Sequence, residues 1–207
     1  MNSALGIIKY NYKIILRTNL LIAIVYALIL PFVVNFKLLT QLEVSRISEL
    51  FISLIGIIIL TSLIEVDYEG NIAEIISAKL KHKGTVFTYR LFIALAAMLI
   101  LISLLYSYMI INDGNFHLLT TLAGTMITGL YLGMLGITAA NLSRNLIVGY
   151  LISFTYYLVE FSTRGRYTGN FYLFGLETSN FTSKYYLLAF VVLMFIVNIV
   201  VLRKRSL

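Results

Sequence analysis

The chain has 207 residues, of which 60% are hydrophobic and only 12% are charged, and its formal net charge is +7. A soluble domain carries about one quarter charged residues, so this composition excludes an ordinary soluble protein and indicates an integral membrane protein. The chain has no cysteine, which excludes disulfides, thiolate metal sites and cysteine nucleophiles. The positive charge is interpreted as an orientation and lipid-headgroup signal, so we predict membrane lipid and no nucleic acid as a partner.

Residues 1–18 are predicted to form an amphipathic elbow helix that lies in the membrane surface, because apolar and basic residues form adjacent stripes at helical spacing. The apolar stripe is Leu5, Ile8, Tyr12 and Ile15, and the basic stripe is Lys9, Lys13 and Arg17. The alternative is a cytoplasmic extension of the first span. A cleavable signal peptide is not expected, since basic residues interrupt the apolar ones.

Six apolar runs follow, and each is a candidate transmembrane helix because about twenty apolar residues cross a bilayer. The runs are Leu20–Val34, Leu50–Ile64, Leu91–Ile111, Leu118–Ala140, Leu146–Val159 and Tyr185–Leu202. The second and fifth runs are short, so counts of five and seven spans stay open. Pro31 is expected to kink or end the first helix. The predicted fold is one all-α transmembrane domain over residues 1–207, with six spans after the elbow helix.

Basic residues are distributed unevenly between the two ends of these spans. The end with the termini carries Lys9, Lys13, Arg17, Lys79, Lys81, Lys83, Arg90, Arg144, Arg203, Lys204 and Arg205. The other end carries Lys37, Arg46, Arg164, Arg166 and Lys184. The positive-inside rule therefore predicts a multi-pass protein of the cell membrane with both termini in the cytoplasm.

The longest polar segment on the predicted cytoplasmic side is 65–84, between the second and third spans. Asn71 and Glu74 have the spacing of a helix cap, and Gly84 is expected to end the helix that they begin. Acidic residues near its start and lysines near its end match the helix macrodipole. At 1.5 Å per residue this helix spans roughly 18 Å, too short to cross a bilayer. The segment is therefore predicted to be a cytoplasmic loop with a short surface helix.

Two motifs on this topology resemble the membrane subunit of ABC-2 type ABC transporters. Residues 65–77, which read EVDYEGNIAEIIS, are similar to the acidic segment of that family between its second and third spans. Asn71 stands where threonine is usual, and Lys79 stands where proline is usual. Residues 135–145, which read LGITAANLSRN, are similar to the Leu-Gly segment that closes the fourth span with an Arg-Asn pair.

The resemblance implies a transport subunit that is not itself an enzyme. Its segment 65–84 would be the coupling loop that docks in a groove of an ABC ATPase supplied in trans. The coupling residues would be Glu65, Asp67, Glu69, Gly70, Asn71, Glu74, Ile75 and Ser77. This chain would bind no cofactor, since the partner ATPase would bind ATP and Mg²⁺. The alternative for the loop is a solvated charge cluster that lies on lipid.

The resemblance also implies a second permease copy, or a homologous permease, as the other partner. The expected function is export of an apolar or amphipathic substrate, which would be peptide, drug-like or lipid-like. The small outer loops resemble those of bacterial peptide or antimicrobial exporters, which suggests a bacterial plasma membrane.

Several residues inside or beside the spans are further candidates. Gly129, Gly133 and Gly136 allow close helix packing, either within one subunit or between two. Glu160 lies near the outer end of the fifth span, and Arg164, four residues later, is its predicted ion-pair partner. The alternative is a substrate or proton site at Glu160.

The segment 161–184 is predicted to be an outer loop whose aromatic residues lie at headgroup depth. The family resemblance implies short re-entrant helices there that cap the translocation path. His82 and His117 stand alone on opposite faces of the membrane in the predicted topology, and neither makes a metal site without other ligands, so we predict no metal site.

Two other classes of function stay open. A secondary transporter or channel that needs no ATPase would require acidic residues or helix breaks inside the membrane. Only Pro31 and the peripheral Glu160 answer that description in the sequence. A membrane-embedded enzyme would require clustered His, Asp or Glu at one depth, and the sequence suggests no such cluster.

Overall fold

The computed structural model of the chain describes residues 2–64, 83–178 and 181–204, and the side chains of 2–17 and of Lys83 lie outside the description. The described residues form helices and turns and no strand. The α-helices are α1 (Asn2–Val33), α2 (Gln41–Ile47), α3 (Leu54–Thr61), α4 (Lys83–Ile111), α5 (Leu118–Ser143), α6 (Leu146–Thr163) and α7 (Thr182–Lys204).

Five helices among the described residues are long and apolar enough to cross a membrane. They are Gln41–Ile64, Gly84–Ile111, Leu118–Ser143, Leu146–Thr163 and Thr182–Lys204, and Thr18–Val33 is a shorter apolar helix. The chain is therefore an all-helical, multi-pass membrane protein, as its composition predicts. The separate elbow helix stays a prediction, because α1 runs without a break from Asn2 to Val33. Pro31 lies in the last turn of α1, which ends two residues later.

The second span begins earlier than the apolar run Leu50–Ile64 predicts. It is built from α2, a π-helical turn (Ser48–Ile52), α3 and a 3₁₀ turn (Ser62–Ile64). Its start is fixed by Thr40, whose backbone N–H donates to Glu43 Oε2 at 2.9 Å and whose hydroxyl donates to the same oxygen at 2.8 Å. Ser45, Ser48 and Glu49 of the first turns are buried inside the protein although they are polar, which is why hydropathy alone places the start too late.

The second span and α5 approach each other through glycines. A Cβ on Gly56 would come 2.1 Å from the carbonyl oxygen of Gly129, so there is no room for a side chain at Gly56. A Cβ on Gly129 would meet the flexible end of Met98 at 2.6 Å and the carbonyl oxygen of Ser53 at 3.0 Å. A Cβ on Gly133 would come 2.7 Å from the carbonyl oxygen of Gly56. Gly136 lies between Thr61 and Ser153, which connects α5 to α6 as well. These predicted packing glycines therefore make contacts within a single chain.

Hydrogen bonds identify the connections that share one end of the bundle. The backbone N–H of Leu38 donates to Asn112 O at 3.0 Å, and that of Asn115 donates to Leu39 O at 2.9 Å. We call this the loop end; it carries the connections 34–40 and 112–117 and the segment after α6. The opposite end, where α1 begins and α7 ends, is called the tail end.

The second span ends and α4 begins at the tail end. Residues 65–82, which join them in the sequence, lie outside the described residues, so the short helix and its cap at Asn71 stay predictions. Gly84, which is expected to end that helix, lies instead in the first turn of α4. Arg144 ends α5 in the left-handed conformation, with φ of 58°, and Asn145 caps α6 by accepting from Ile147 N at 2.9 Å.

Candidate functional site

A non-helical segment enters the helix bundle at the loop end. Helix α6 ends at Arg164, whose φ of 51° turns the chain back, and a 3₁₀ turn follows at Gly169–Phe171. Residues 172–177 then run between the helices, and Leu173, Phe174 and Gly175 are buried. We call 172–177 the inserted segment. Non-helical backbone at membrane depth needs hydrogen-bond partners from the protein, so its contacts define the candidate site.

The centre of the site is an ion pair between Glu49 and Lys184, and both side chains are completely buried. The Lys184 ammonium donates to Glu49 Oε1, to Thr128 Oγ1 at 2.6 Å and to the carbonyl oxygen of Leu173. An ammonium has three donors, so these three oxygens satisfy it. Lys184 is therefore not the exposed loop cation that the charge distribution predicts.

Glu49 is held by main-chain donors as well as by Lys184. The N–H of Leu176 donates to the two carboxylate oxygens at 3.0 and 3.1 Å, and the N–H of Glu177 donates to Oε2 at 3.2 Å. Glu49 lies in the π-helical turn, roughly 12 Å from the start of the Gln41–Ile64 helix at 1.5 Å per residue. π-helical turns often occur at functional sites.

A second ion pair holds the same segment nearer the surface. Arg46 Nε donates to Glu177 Oε1 at 2.9 Å, and Arg46 Nη2 contacts the same oxygen. The exposed fractions of the two side chains are 53% and 31%, so solvent screens this pair. The Glu49 and Arg46 contacts both link the inserted segment to the second span.

Hydroxyl groups form a buried cluster beside the Glu49–Lys184 pair. Tyr106 donates to Ser48 Oγ at 2.8 Å, and its hydroxyl lies 2.6 Å from Thr125 Oγ1. All three side chains are buried, and Ser48 is the sequence neighbour of Glu49. The cluster therefore extends the polar interior from the ion pair towards α4 and α5.

The cluster leads on to a surface cleft of about 420 Å³ at the loop end. Tyr106 also contacts the carbonyl oxygen of Thr121 at 3.4 Å, and Gln41 Nε2 lies 3.3 Å from Thr121 Oγ1. Gln41 and His117 line the cleft and are joined by a hydrogen bond of 2.6 Å from His117 N to Gln41 Oε1. A chain of polar groups thus connects the protein surface with the buried hydroxyl cluster beside the ion pair.

Glu160 contacts the inserted segment and not the predicted partner side chain. Its Oε2 accepts from the N–H of Leu173 at 3.2 Å, and its Oε1 has no hydrogen-bond partner among the described residues. Arg164 meets Glu160 only through the backbone, by a 2.9 Å hydrogen bond from Arg164 N to Glu160 O. The described ion pairs do not include Glu160 with Arg164. The predicted outer ion pair is replaced by a backbone contact.

Tyr172 begins the inserted segment and is half-buried. Partial burial raises the pKa of the Tyr172 phenol, and the charges of Glu177, Glu49 and Glu160 raise it further.

The predicted outer loop 161–184 is divided into three parts in the structure. Its first three residues belong to α6, its last three belong to α7, and the inserted segment lies between them.

The predicted coupling residues stay a prediction. Glu65, Asp67, Glu69, Gly70, Asn71, Glu74, Ile75 and Ser77 all lie outside the described residues. No group of three or more His, Cys, Asp or Glu that could hold a metal ion occurs in the described parts of the chain.

Sequence reasoning missed both members of the buried ion pair. A usable signal is the helical spacing of Gln41, Ser45, Ser48 and Glu49, which places four polar residues on one face before an apolar run. Such a stripe indicates a polar face turned towards the bundle interior. Nothing local marks Lys184, because a lysine beside an apolar run is typical of an interface.

Comparison with known proteins gives no match: no protein-family model matches the chain, and no curated protein or solved structure is similar to it.

Proposed function

We propose that this chain is the transmembrane permease subunit of an ATP-driven exporter of the ABC-2 type. It would move an apolar or amphipathic substrate, and ABC ATPase subunits supplied in trans would bind ATP and Mg²⁺. In this proposal Thr18–Val33 completes a sixth span, residues 1–18 form the elbow helix and both termini lie in the cytoplasm. A second permease copy, or a homologous permease, would complete the path.

The position of the second span carries the proposal. Buried residues make up 78% of an apolar 18-residue stretch of the Gln41–Ile64 helix, against 22–50% for the corresponding stretches of the other four long helices. This central helix runs directly into Glu65, the first residue of the polar segment whose motif resembles a coupling loop. At its other end it holds the inserted segment through Glu49 and Arg46.

A displacement of the polar segment would therefore be transmitted to the loop end by one helix. The glycine contacts of Gly56 with Gly129 leave little space for sideways bending, so the helix would move as a rigid element. A rigid element that both ends can bias is the physical requirement for coupling between distant sites. Movement of Glu49 away from Leu176 would release the inserted segment and open the bundle at the loop end.

Affinity purification from the native host in mild detergent tests the proposal. Mass spectrometry should find a P-loop ATPase in near-equal amount with this chain. Recovery of an ATPase that dissociates on charge reversal in the segment 65–84 would support the exporter. Repeated recovery of the chain without an ATPase would contradict it.

A secondary transporter or channel that needs no ATPase is the second candidate. The observation that favours it is the buried Glu49–Lys184 pair beside a π-helical turn, because that class requires charged residues and helix breaks within the membrane. Purified chain in liposomes should then move a solute down its gradient without ATP. Flux that appears only with an added ATPase and ATP would exclude this candidate.

A further inference from the structure

We infer that Glu49 and Lys184 form a binding site for the main chain of a peptide turn, and that the inserted segment 172–177, whose residues 173–177 form turns, occupies this site as an internal substitute. The inference rests on the proposed export function in one respect only: if the chain is an exporter, an apolar peptide is its cargo. The binding itself requires no ATPase.

The side chains of Glu49 and Lys184 contact only main-chain atoms of the inserted segment. Among the described residues, Glu49 accepts from the N–H groups of Leu176 and Glu177, and Lys184 donates to the carbonyl oxygen of Leu173. The side chain of Glu177 points to Arg46 instead. The charged groups therefore recognise features that every peptide has, with the exception of proline at a donor position.

The Glu49–Lys184 pair offers one acceptor group and one donor group side by side. A carboxylate holds two adjacent N–H groups, and an ammonium holds a carbonyl oxygen three residues earlier in the same segment. A simple cation would use only the carboxylate, and a simple anion would use only the ammonium. A peptide segment satisfies both, and hydrogen bonds to charged groups are the strong ones.

Apolar side chains surround these main-chain contacts. Phe174 is buried and packs edge-on against Tyr157, with ring centroids 5.7 Å apart. Leu173 is completely buried, and the side chain of Leu176 fills the space left by Gly124. A ligand that replaces the inserted segment would thus place aliphatic and aromatic side chains in these positions, which specifies an apolar peptide.

The inserted segment competes with a free peptide for the site. The inserted segment belongs to the same chain, so it is present at a high effective concentration and a free peptide binds weakly against it. Weakening the internal contact without altering Glu49 or Lys184 should therefore strengthen binding of a free peptide. Leu176→Pro does this, because proline removes the N–H that donates to Glu49.

Fluorescence anisotropy of a labelled, end-capped peptide with the sequence of residues 171–178, FYLFGLET, tests the inference on full-length chain purified in mild detergent. The Leu176→Pro variant should bind this probe about tenfold more tightly than the wild type, as expected for one released hydrogen bond to a charged group. Glu177→Ala is the matched control. It keeps the main-chain N–H and removes only the exposed pair with Arg46, so its affinity should change less than about threefold.

A second probe tests main-chain recognition directly. It is the same peptide with a methyl group on the nitrogen that corresponds to Leu176. The Leu176→Pro variant should bind this probe about tenfold more weakly than the unmethylated one, because the methyl group replaces the recognised hydrogen. Equal binding of both probes, or binding equal to that of empty micelles, would overturn the inference.

Hydrogen–deuterium exchange on the wild type provides a measurement that needs no variant. A large excess of the unmethylated probe should speed exchange at the amides of Leu176 and Glu177, since both lose their contact with Glu49. Unchanged exchange at saturating probe would overturn the inference. Peptide binding without an ATPase in the purification would keep this site and reject the exporter. An ATPase partner without peptide binding would keep the exporter and reject this site.

Discussion

The ammonium of Lys184 contacts the carboxylate of Glu49, and both side chains are completely shielded from solvent. Lys184 belongs to the first turn of α7, and Glu49 belongs to the π-helical turn of the second span. The same two side chains hold Leu173 and Leu176 of the inserted segment through main-chain atoms. One ion pair therefore fixes three parts of the chain that are far apart in sequence.

We expect single removal of either partner of this pair to destabilise the protein strongly. Glu49→Ala or Lys184→Ala leaves an uncompensated buried charge, which costs about 3–5 kcal/mol. The double variant with Met at both positions should recover part of that loss, because no unpaired charge remains although main-chain groups of Leu173, Leu176 and Glu177 lose their partners. Thermal unfolding in detergent, followed by circular dichroism, measures these differences.

The surface pair is the control for this prediction. Arg46→Ala breaks the partly exposed contact with Glu177 and should cost less than about 1 kcal/mol, since exposed ion pairs contribute little. A double Met variant no more stable than the single Ala variants would contradict a role for charge compensation. It would attribute the loss to packing alone.

The close approach of the second span to α5 leads to a second prediction. Gly133→Ala places a Cβ 2.7 Å from the carbonyl oxygen of Gly56, so backbone must move, at a cost of about 1–3 kcal/mol. Gly84→Ala is the matched control, because its Cβ would meet Ile199 at an ordinary 3.6 Å. Thermal unfolding of both variants in the same detergent checks the difference. Equal stability would show that the two helices are further apart.

The apolar runs predict much of the fold because hydropathy is a local property. The predicted end at Ile111 and the predicted starts at Leu118 and Leu146 coincide with the observed boundaries. The glycine spacing in the fourth span likewise predicts a close contact, although it does not tell which helix is the neighbour. These features depend on residues that are close together in the sequence.

The candidate site could not be predicted in the same way. The start of the second span is missed because Ser45, Ser48 and Glu49 resemble a loop until their burial is known. Lys184 is misplaced because its partner lies 135 residues away. A charged residue beside an apolar run is usually at an interface, and only the tertiary structure reveals that this one is inside.

The absence of cysteine allows a third prediction, on the position of the inserted segment. Arg46→Cys combined with Glu177→Cys should be joined by a short bifunctional thiol reagent, because the two native side chains are in contact. The pair Arg46→Cys with Arg203→Cys is the control, since these positions lie at opposite ends of the bundle. Intact-mass spectrometry detects the link. Equal linking of both pairs would contradict the described position of the segment.

A fourth prediction tests the proposed coupling loop by charge. Reversal of Glu69 and Glu74 to Lys should release the partner ATPase while membrane insertion is unchanged, because both residues belong to the motif that resembles a docking helix. Asp113→Lys is the matched control, since Asp113 is exposed at the loop end, which is the outer side in the proposed orientation. Co-purification in mild detergent measures the ATPase that each variant retains.

The two variants separate the docking hypothesis from the alternative of a solvated charge cluster. A docking helix requires loss of the ATPase in the Glu69 and Glu74 variant and full retention in the Asp113 variant. A charge cluster that only orients the protein on lipid would retain the ATPase in both, since the remaining lysines still satisfy the positive-inside rule. Full retention by a well-folded Glu69 and Glu74 variant would therefore remove these residues from the coupling site.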